Sequence, residues 1–587
     1  MAFRLKTYVC SLVLDIVKKK ANPHTISPSS LSNHVIIGKV KNSTDIEFQL
    51  PVISLQRIID PSMKDKINIS DIKKLSSNGV IHNVSETTFK NNTSIVFQIN
   101  KNMFIKEVLQ EITDDPILWK ETTAKNILPN PPEKEIVIDF SSPNIAKPFH
   151  VGHLRSTIIG NFISNLFEFL SCNVIRLNYL GDWGTQFGLL QVGLDICGYT
   201  EAMIKQNPMN LLYQAYVEAN KRAETDPEIA AKARNIFYNL EIGSSEIMDK
   251  WSVYRKYTVQ ELENIYQRLG VRFDEYNWES SYNAKDIGNI IELLKSQSLL
   301  KEDKEGRKVV EISSDVNVTV MKSDGSTLYL TRDIAAAIHR HEQYDFSQML
   351  YVVDNGQTYH FTSLFGVLSK MQFPWASSLK HIKFGRIHGM STRKGTVVFL
   401  NDILDECRDI MTIKQQESPT TKVVLGKSSD RINDILGISA VIINDLKQRR
   451  QRDYEFDWNR ALEVQGDTGV KLQYTHCRLC SLEKNCGVNL PAECDPSVLV
   501  EPEAVLLVQD IARFEEVLLR TYEELEACIL VNYLLRFCNV INRAFEVLRI
   551  KNEEKHIGSQ RLLLFHASKI VLHEGMKIAG LHPLHEM

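Results

Sequence analysis

Residues 135 to 179 constrain this chain more than any other stretch. Glu135-Ile136-Val137-Ile138-Asp139-Phe140 is a compact apolar run of strand length, and a loop from Ser141 to Pro148 follows it. Apolar residues then recur at helical spacing from about His150 to Leu170, and Val174 to Tyr179 reads as a second strand. Strand, loop, helix and strand in that order form a βαβ unit, which requires a parallel sheet with a right-handed crossover. Further strand candidates, Gln348 to Val353 and His381 to Ile387, lie far down the chain. Residues 195 to 320 between them are mostly helical in pattern. Two halves of a Rossmann-like nucleotide-binding sheet around a helical insertion, spanning residues 130 to 425, is the simplest α/β account.

A chain of 587 residues holds more than this one sheet. Residues 26 to 125 are polar, with short alternating runs such as Ser94-Ile95-Val96-Phe97-Gln98-Ile99, and read as a small α+β domain. Asn130-Pro131-Pro132 breaks the chain after it. From residue 430 to 587 the pattern is almost wholly helical, with amphipathic runs at Ile432 to Leu446 and Val505 to Ala527, so an all-α bundle is expected. No apolar stretch is long enough to span a bilayer. Residues 1 to 25 carry Arg4, Lys6 and Lys18 to Lys20 against the single acid Asp15, with Tyr8, Val9, Leu12, Val13 and Ile16 at helical spacing. This basic amphipathic segment reads as a mitochondrial presequence, its other reading being the first helix of the N-terminal domain.

Two short motifs carry the chemistry. His150-Val151-Gly152-His153 follows a strand and opens a helix, so two imidazoles share one helix face at the positive end of its dipole. Gly152 lets a flat base or ribose approach the backbone. The group suits a triphosphate and the charge that develops on an attacked phosphorus. The second motif, Gly389-Met390-Ser391-Thr392-Arg393-Lys394-Gly395, follows the later strand, and its small and basic residues suit a mobile clamp on phosphates. Four cysteines, Cys477, Cys480, Cys486 and Cys494, are unevenly spaced, and no second Cys-x-x-Cys follows the first, so no structural zinc is expected. The run Lys447-Gln448-Arg449-Arg450-Gln451-Arg452 reads equally as a solvated helix end or an RNA contact.

The pair of motifs resembles the signatures of class I aminoacyl-tRNA synthetases, and longer stretches narrow the resemblance to the arginyl-tRNA synthetases. These are Ser141 to Thr157, Asn178-Tyr179-Leu180-Gly181-Asp182-Trp183-Gly184-Thr185-Gln186-Phe187-Gly188, Leu328-Tyr329-Leu330-Thr331-Arg332-Asp333, and Gly466-Asp467-Thr468-Gly469 with Leu472-Gln473-Tyr474-Thr475-His476. The resemblance implies that arginine is activated with ATP and Mg2+ and transferred to a terminal ribose hydroxyl of arginine tRNA. It places His150, Gly152, His153, Met390, Ser391, Arg393 and Lys394 on the ATP, and adds Lys147 and Lys394 to the catalytic group. It lines the arginine pocket with Ser142, Pro143, Asn144, His153, Tyr329, Asp333 and Gln357. Asp333 is the expected guanidinium partner and Asp139 a second one, because a planar five-donor fork pairs best with carboxylates. Tyr474, as a base-stacking residue, and Met587 fall to tRNA contact. The resemblance further implies amino-acid activation that waits for bound tRNA, a monomer with no membrane partner, and work in the mitochondrial matrix, with the cytoplasm as the alternative. A synthetase for another amino acid is disfavoured by Asp333. A silent tRNA-binding relative is disfavoured by the intact His motif, and a small-molecule nucleotidyltransferase by the helical C-terminal third.

Overall fold

The computed structural model describes residues 2–18, 27–38, 44–58, 69–75, 78–90, 92–144, 149, 151–241, 245–325, 328–389, 400–417, 427–463 and 466–587. Its centre is a five-stranded parallel sheet. In spatial order the strands are Leu379–Phe384, Gln348–Asp354, Ile136–Asp139, Val174–Leu180 and Glu275–Trp278. Ile136–Asp139 is buried at every residue, as an internal parallel strand must be. Its register pairs Asp139 with Leu177 on one side and Tyr351 on the other. The strand order reverses beside Ile136–Asp139, so the crevice for a ligand opens at its carboxyl end, next to that of Gln348–Asp354. Helix Val151–Phe169 crosses the sheet so closely that a Cβ on Gly160 would fall 2.2 Å from the Phe140 ring.

The insertion differs from the sequence expectation. Helices Thr185–Cys197, Glu201–Gln206, Pro208–Ala223, Pro227–Glu241 and Ser245–Leu269 come first, but the chain then returns to the main sheet as Glu275–Trp278. After helix Ala284–Ser296, residues 300 to 321 form a three-stranded antiparallel sheet instead of a helix. Its first turn closes at Gly306, where φ is +75°, a conformation that favours glycine. The expected single helix Val505 to Ala527 is likewise two, Pro502–Ala512 and Phe514–Glu524. Arg513 sits at the break because its buried side chain is drawn to Asp510 Oδ1 at 2.6 Å and the Gly38 carbonyl at 2.9 Å.

The N-terminal region is an antiparallel four-stranded sheet, Ile36–Ile37, Ile46–Pro51, Asn92–Ile99 and Ile81–Phe89, backed by helices Lys101–Asp114 and Pro116–Ile127. Residues 3 to 18, expected as a presequence or as the domain's first helix, form helix Phe3–Lys18. Val9, Cys10 and Val13 are wholly buried in the core that this region shares with the sheet and the C-terminal bundle. Lys6, one of the charges that suggested a presequence, is itself buried and pairs with Glu516 at 2.6 Å. Loss of this helix would therefore uncover apolar core and take the cation from Glu516, which also accepts a bond from the Ile37 N–H at 2.8 Å. In the folded chain residues 3 to 18 are thus packed as the first helix of this region.

Three parts of the molecule meet at Arg155, two residues beyond His153. Its Nη1 donates to the carbonyls of Gly385 at 2.5 Å and Arg452 at 2.9 Å, and its Nε lies 3.1 Å from Asp445 Oδ1. Tyr454 also donates to Asp445 Oδ1, at 2.9 Å, and presents its ring to the guanidinium. Gly385 precedes the expected clamp loop, and Asp445 lies near the end of helix Lys427–Leu446. Part of the basic run is consumed here: Arg450 donates to the Lys383 carbonyl at 2.6 Å and pairs with Glu526. Asp445→Ala would leave Arg155 as an uncompensated buried charge. Urea unfolding should then show a loss of about 3–5 kcal/mol, with part regained in an Arg155→Met, Asp445→Leu double variant.

Candidate active site

The crevice is built from the turns at the carboxyl ends of the sheet's strands. After Asp139 the chain turns through Ser141 (φ +73°) and Ser142 (φ +47°), two successive non-glycine residues in the left-handed region. Hydrogen bonds hold the turn. The Ser141 N–H donates to Ser156 Oγ at 2.9 Å, the Ser142 N–H to Asn178 Oδ1 at 3.1 Å, and Ser142 Oγ to Asp139 Oδ1 at 2.8 Å. The expected second guanidinium carboxylate is thus already engaged. Arg340 donates to its other oxygen at 2.9 Å, and both side chains are buried. Asp139 is corrected from a substrate contact to the partner of an internal arginine. Ser142 and Asp139 together shape the floor instead.

Asn144 bridges to Gly181, where a Cβ would fall 2.0 Å from Asn144 Oδ1, so the Ser141–Asn144 turn and the Gly181-Asp182-Trp183-Gly184 turn interlock. Asp182 in turn accepts from the Ser280 N–H at 2.9 Å and Ser280 Oγ at 2.7 Å. That pair of bonds fixes the turn after strand Glu275–Trp278 and with it Glu279. Burial and the nearby Asp333 carboxylate push the Glu279 carboxyl up to about 7. Sequence reading missed Glu279. The one signal for it was an acid just past a strand's carboxyl end, and that strand was itself read as helix.

Asp333 and Tyr329 stand one turn apart at the start of helix Tyr329–Tyr344, as their spacing required. Asp333 is half-buried, with its Oδ2 2.7 Å from His360 Nε2. Tyr329 is exposed and its hydroxyl reaches Gly184. The Tyr179 hydroxyl is buried with no hydrogen-bond partner among the described residues, and the carboxylates of Asp333 and Glu279 add to the burial that raises its pKa. Gln357 follows strand Gln348–Asp354 and is exposed. Pro143 is buried in the turn. Asp139 is matched by Arg340, whereas Asp333 and Glu279 act on one another, with Arg332 and Asp182 also near Glu279.

His153 lies on the first turn of helix Val151–Phe169, its ring 5.5 Å from that of Phe149, and Gly152 is exposed beside it. Lys147, His150, Met390, Ser391, Arg393 and Lys394 lie outside the described residues. Tyr474, half-exposed on helix Gly469–Asn485, is not a core residue. The same helix clamps the C-terminal tail. Gln473 donates to the His582 carbonyl and accepts from the Leu584 N–H, both at 2.9 Å, and His476 Nδ1 donates to the Leu584 carbonyl at 2.7 Å. Burial pushes His476 down to about 4, so it holds the tail as a neutral donor. Met587 packs against the core at the end of this tail. Cys477 also meets the Leu584 carbonyl, at 3.2 Å, and Cys480 lies 3.7 Å from His585 Nδ1.

Residues 117–458 match the family described as tRNA synthetases class I (R), catalytic domain, and residues 472–587 match the DALR anticodon binding domain. The chain is 39% identical over 572 residues to a Mus musculus protein named probable arginine–tRNA ligase, mitochondrial, covering 96% of this chain and 97% of that one. It is 40% identical over 470 residues to a Saccharomyces cerevisiae protein named arginine–tRNA ligase, cytoplasmic, covering 77% of each. Two solved structures share its fold across essentially the whole chain. Arginyl-tRNA synthetase from Plasmodium falciparum gives a TM-score of 0.77 at 23% identity, covering 99% of both chains. The Thermus thermophilus arginyl-tRNA synthetase gives 0.78 at 18%, covering all of both.

The interlock at Gly181 is testable by a pair of alanines. Gly181→Ala should displace Asn144, lower stability by about 1–3 kcal/mol and impair activity. Gly288→Ala, on a helix where a Cβ meets nothing within 4 Å, should raise the melting temperature slightly. Equal effects at the two positions would contradict the interlock.

Proposed function

The chain belongs to the class I arginyl-tRNA synthetases, and on that premise we propose how its residues carry out the work of an arginine–tRNA ligase. The observation that carries the reading is the electrostatic closeness of two carboxyl groups, Asp333 and Glu279, at the carboxyl end of the sheet. A guanidinium laid between Asp333 and Glu279 meets two carboxylates with a planar fork of donors, whereas the compact ammonium of lysine lacks the width to reach both. Arginine enters at the carboxyl end of the parallel sheet with its own carboxylate toward the His motif. There it attacks the α-phosphorus of ATP and pyrophosphate leaves. The nucleophile is already ionised, so no general base is required, and catalysis is positioning and charge stabilisation. His150, Gly152 and His153 face the nucleotide at the helix N-terminus, and Lys147, Arg393 and Lys394 supply positive charge to the phosphates. Magnesium travels with the triphosphate. Among the described residues no three His, Cys, Asp or Glu side chains converge to hold an ion by themselves.

In the second step the adenylate's carbonyl passes to a terminal ribose hydroxyl of arginine tRNA, with AMP as the leaving group. The helical bundle takes the anticodon, with Tyr474 exposed for stacking and the clamped tail presenting Met587. The nearly full-length likeness to mammalian proteins named mitochondrial supports a place in mitochondrial protein synthesis. We propose that it acts as a monomer and that activation waits for tRNA.

Asp333→Asn should raise the KM for arginine roughly ten- to hundredfold, the worth of a charge-assisted hydrogen bond, with the KM for ATP nearly unchanged. Arginine-dependent ATP–pyrophosphate exchange in the presence of arginine tRNA measures both, and an unaltered arginine requirement would remove Asp333 from the pocket. The same assay has a pH signature. Glu279 is neutral below about 7 and charged above it, and a bound guanidinium favours the charged form, so arginine binding releases a proton. The KM for arginine should therefore fall as pH rises from 6 to 8. Glu279→Gln should flatten that slope while Asp333, Arg332 and Asp182 around it remain.

A further inference from the structure

We infer that His360 is a positioning residue for arginine recognition, setting the carboxylate of Asp333 in the orientation that receives the guanidinium. The inference rests on the reading of Asp333 as guanidinium partner and extends it to a residue no motif marks. His360 stands on helix Thr358–Lys370, three residues beyond Gln357. Its Nε2 lies 2.7 Å from Asp333 Oδ2, and both side chains are about three-quarters buried, 25% and 24% exposed. A carboxylate oxygen accepts, so the imidazole proton sits on Nε2 and the bond is donated to Asp333. The ring is braced from behind. It stands edge-on to Phe361 at 5.4 Å, and Phe361 packs on Tyr351 at 5.1 Å and His381 at 4.5 Å.

The need for such a tether arises from charge. Asp333 and Glu279 face one pocket and repel one another, enough that Asp333 helps keep the Glu279 carboxyl protonated. An aspartate a quarter exposed and beside a second carboxyl group gains by swinging its carboxylate toward water. The His360 N–H holds Oδ2 in place and leaves Oδ1 free of that bond to receive the guanidinium. Arginine then meets an ordered acceptor, and the ordering is complete before it binds. Among the described residues no second hydrogen bond restrains this carboxylate, so the rotamer depends on His360.

The test uses the full-length enzyme with arginine tRNA present. KM values for arginine and ATP, kcat and melting temperature are compared for His360→Ala, His360→Gln, Asp333→Asn and the Asp333→Asn, His360→Ala double variant. The expected result is a rise of about tenfold in the arginine KM for His360→Ala, with the ATP KM within about twofold and most of the loss restored by His360→Gln, whose amide can donate to the same oxygen. The double variant should be no worse than Asp333→Asn alone, because both act through one carboxylate. An arginine KM that stays normal in His360→Ala while Asp333→Asn raises it overturns the inference and leaves the pocket reading standing. Absence of an effect in Asp333→Asn overturns the pocket reading itself. A parallel rise in both KM values with a lowered melting temperature and no rescue by glutamine reduces His360 to structural support and overturns the inference.

Discussion

The guanidinium of Arg155 is the point on which the separate parts of this molecule are registered to one another. It is buried, and a buried cation is tolerated only where its donors are met. Here Nη1 donates to the carbonyls of Gly385 and Arg452, and the charge is offset by the carboxylate of Asp445. Gly385 belongs to the segment that leads to the clamp loop, Arg452 and Asp445 to the entry of the helical bundle, and Arg155 itself to the helix that begins with the His motif. Carbonyl oxygens cannot rotate away as side chains can, so none of the three segments shifts without breaking a bond to the same ion. Strand pairing of Ile387 with Tyr454 stiffens the junction further. The helical bundle and the helix that carries His153 are therefore joined in one connected scaffold.

A second buried pair, Asp139 with Arg340, does different work. It lies under the pocket, with Arg340 also spaced to Asn277 at 3.3 Å and covered by the Tyr179 ring. By satisfying Asp139 internally it removes one of three carboxylates from the pocket's electrostatic balance. The two that remain, Asp333 and Glu279, act on one another, and burial with that neighbour raises the Glu279 carboxyl. The strained Ser141–Ser142 turn belongs to the same arrangement, since its hydrogen bonds to Asp139, Asn178 and Ser156 all come from the interlocked floor.

The legible parts of the sequence were those whose signal is local. The strand at 136 to 139, the helix after it and the His motif between them declare themselves within about thirty residues. So do Tyr329 and Asp333, one helical turn apart. The unread parts share a different property. Arg340 reaches Asp139 across 201 positions, and nothing near either residue announces the other. Glu279 matters only because its strand rejoins a sheet begun far earlier, and that four-residue strand has no apolar run to betray it. Helix 502–524 breaks at Arg513 because its side chain is needed by Asp510 and by the Gly38 carbonyl in the N-terminal domain. The packing of the basic N-terminal helix was unread for the same reason: periodicity shows that one face is apolar but not what covers it.

From the order of residues alone came the parallel nucleotide-binding sheet, the helical C-terminal third, the reaction class and the amino acid, because each depends on short-range periodicity or on motifs whose spacing is itself the geometry. Only the tertiary structure decided which carboxylates are already paired within the fold. Charge balance is a sum over neighbours brought from distant segments, and a residue's partner can cancel it, as Arg340 does for Asp139, or hold it, as the His360 contact does for Asp333.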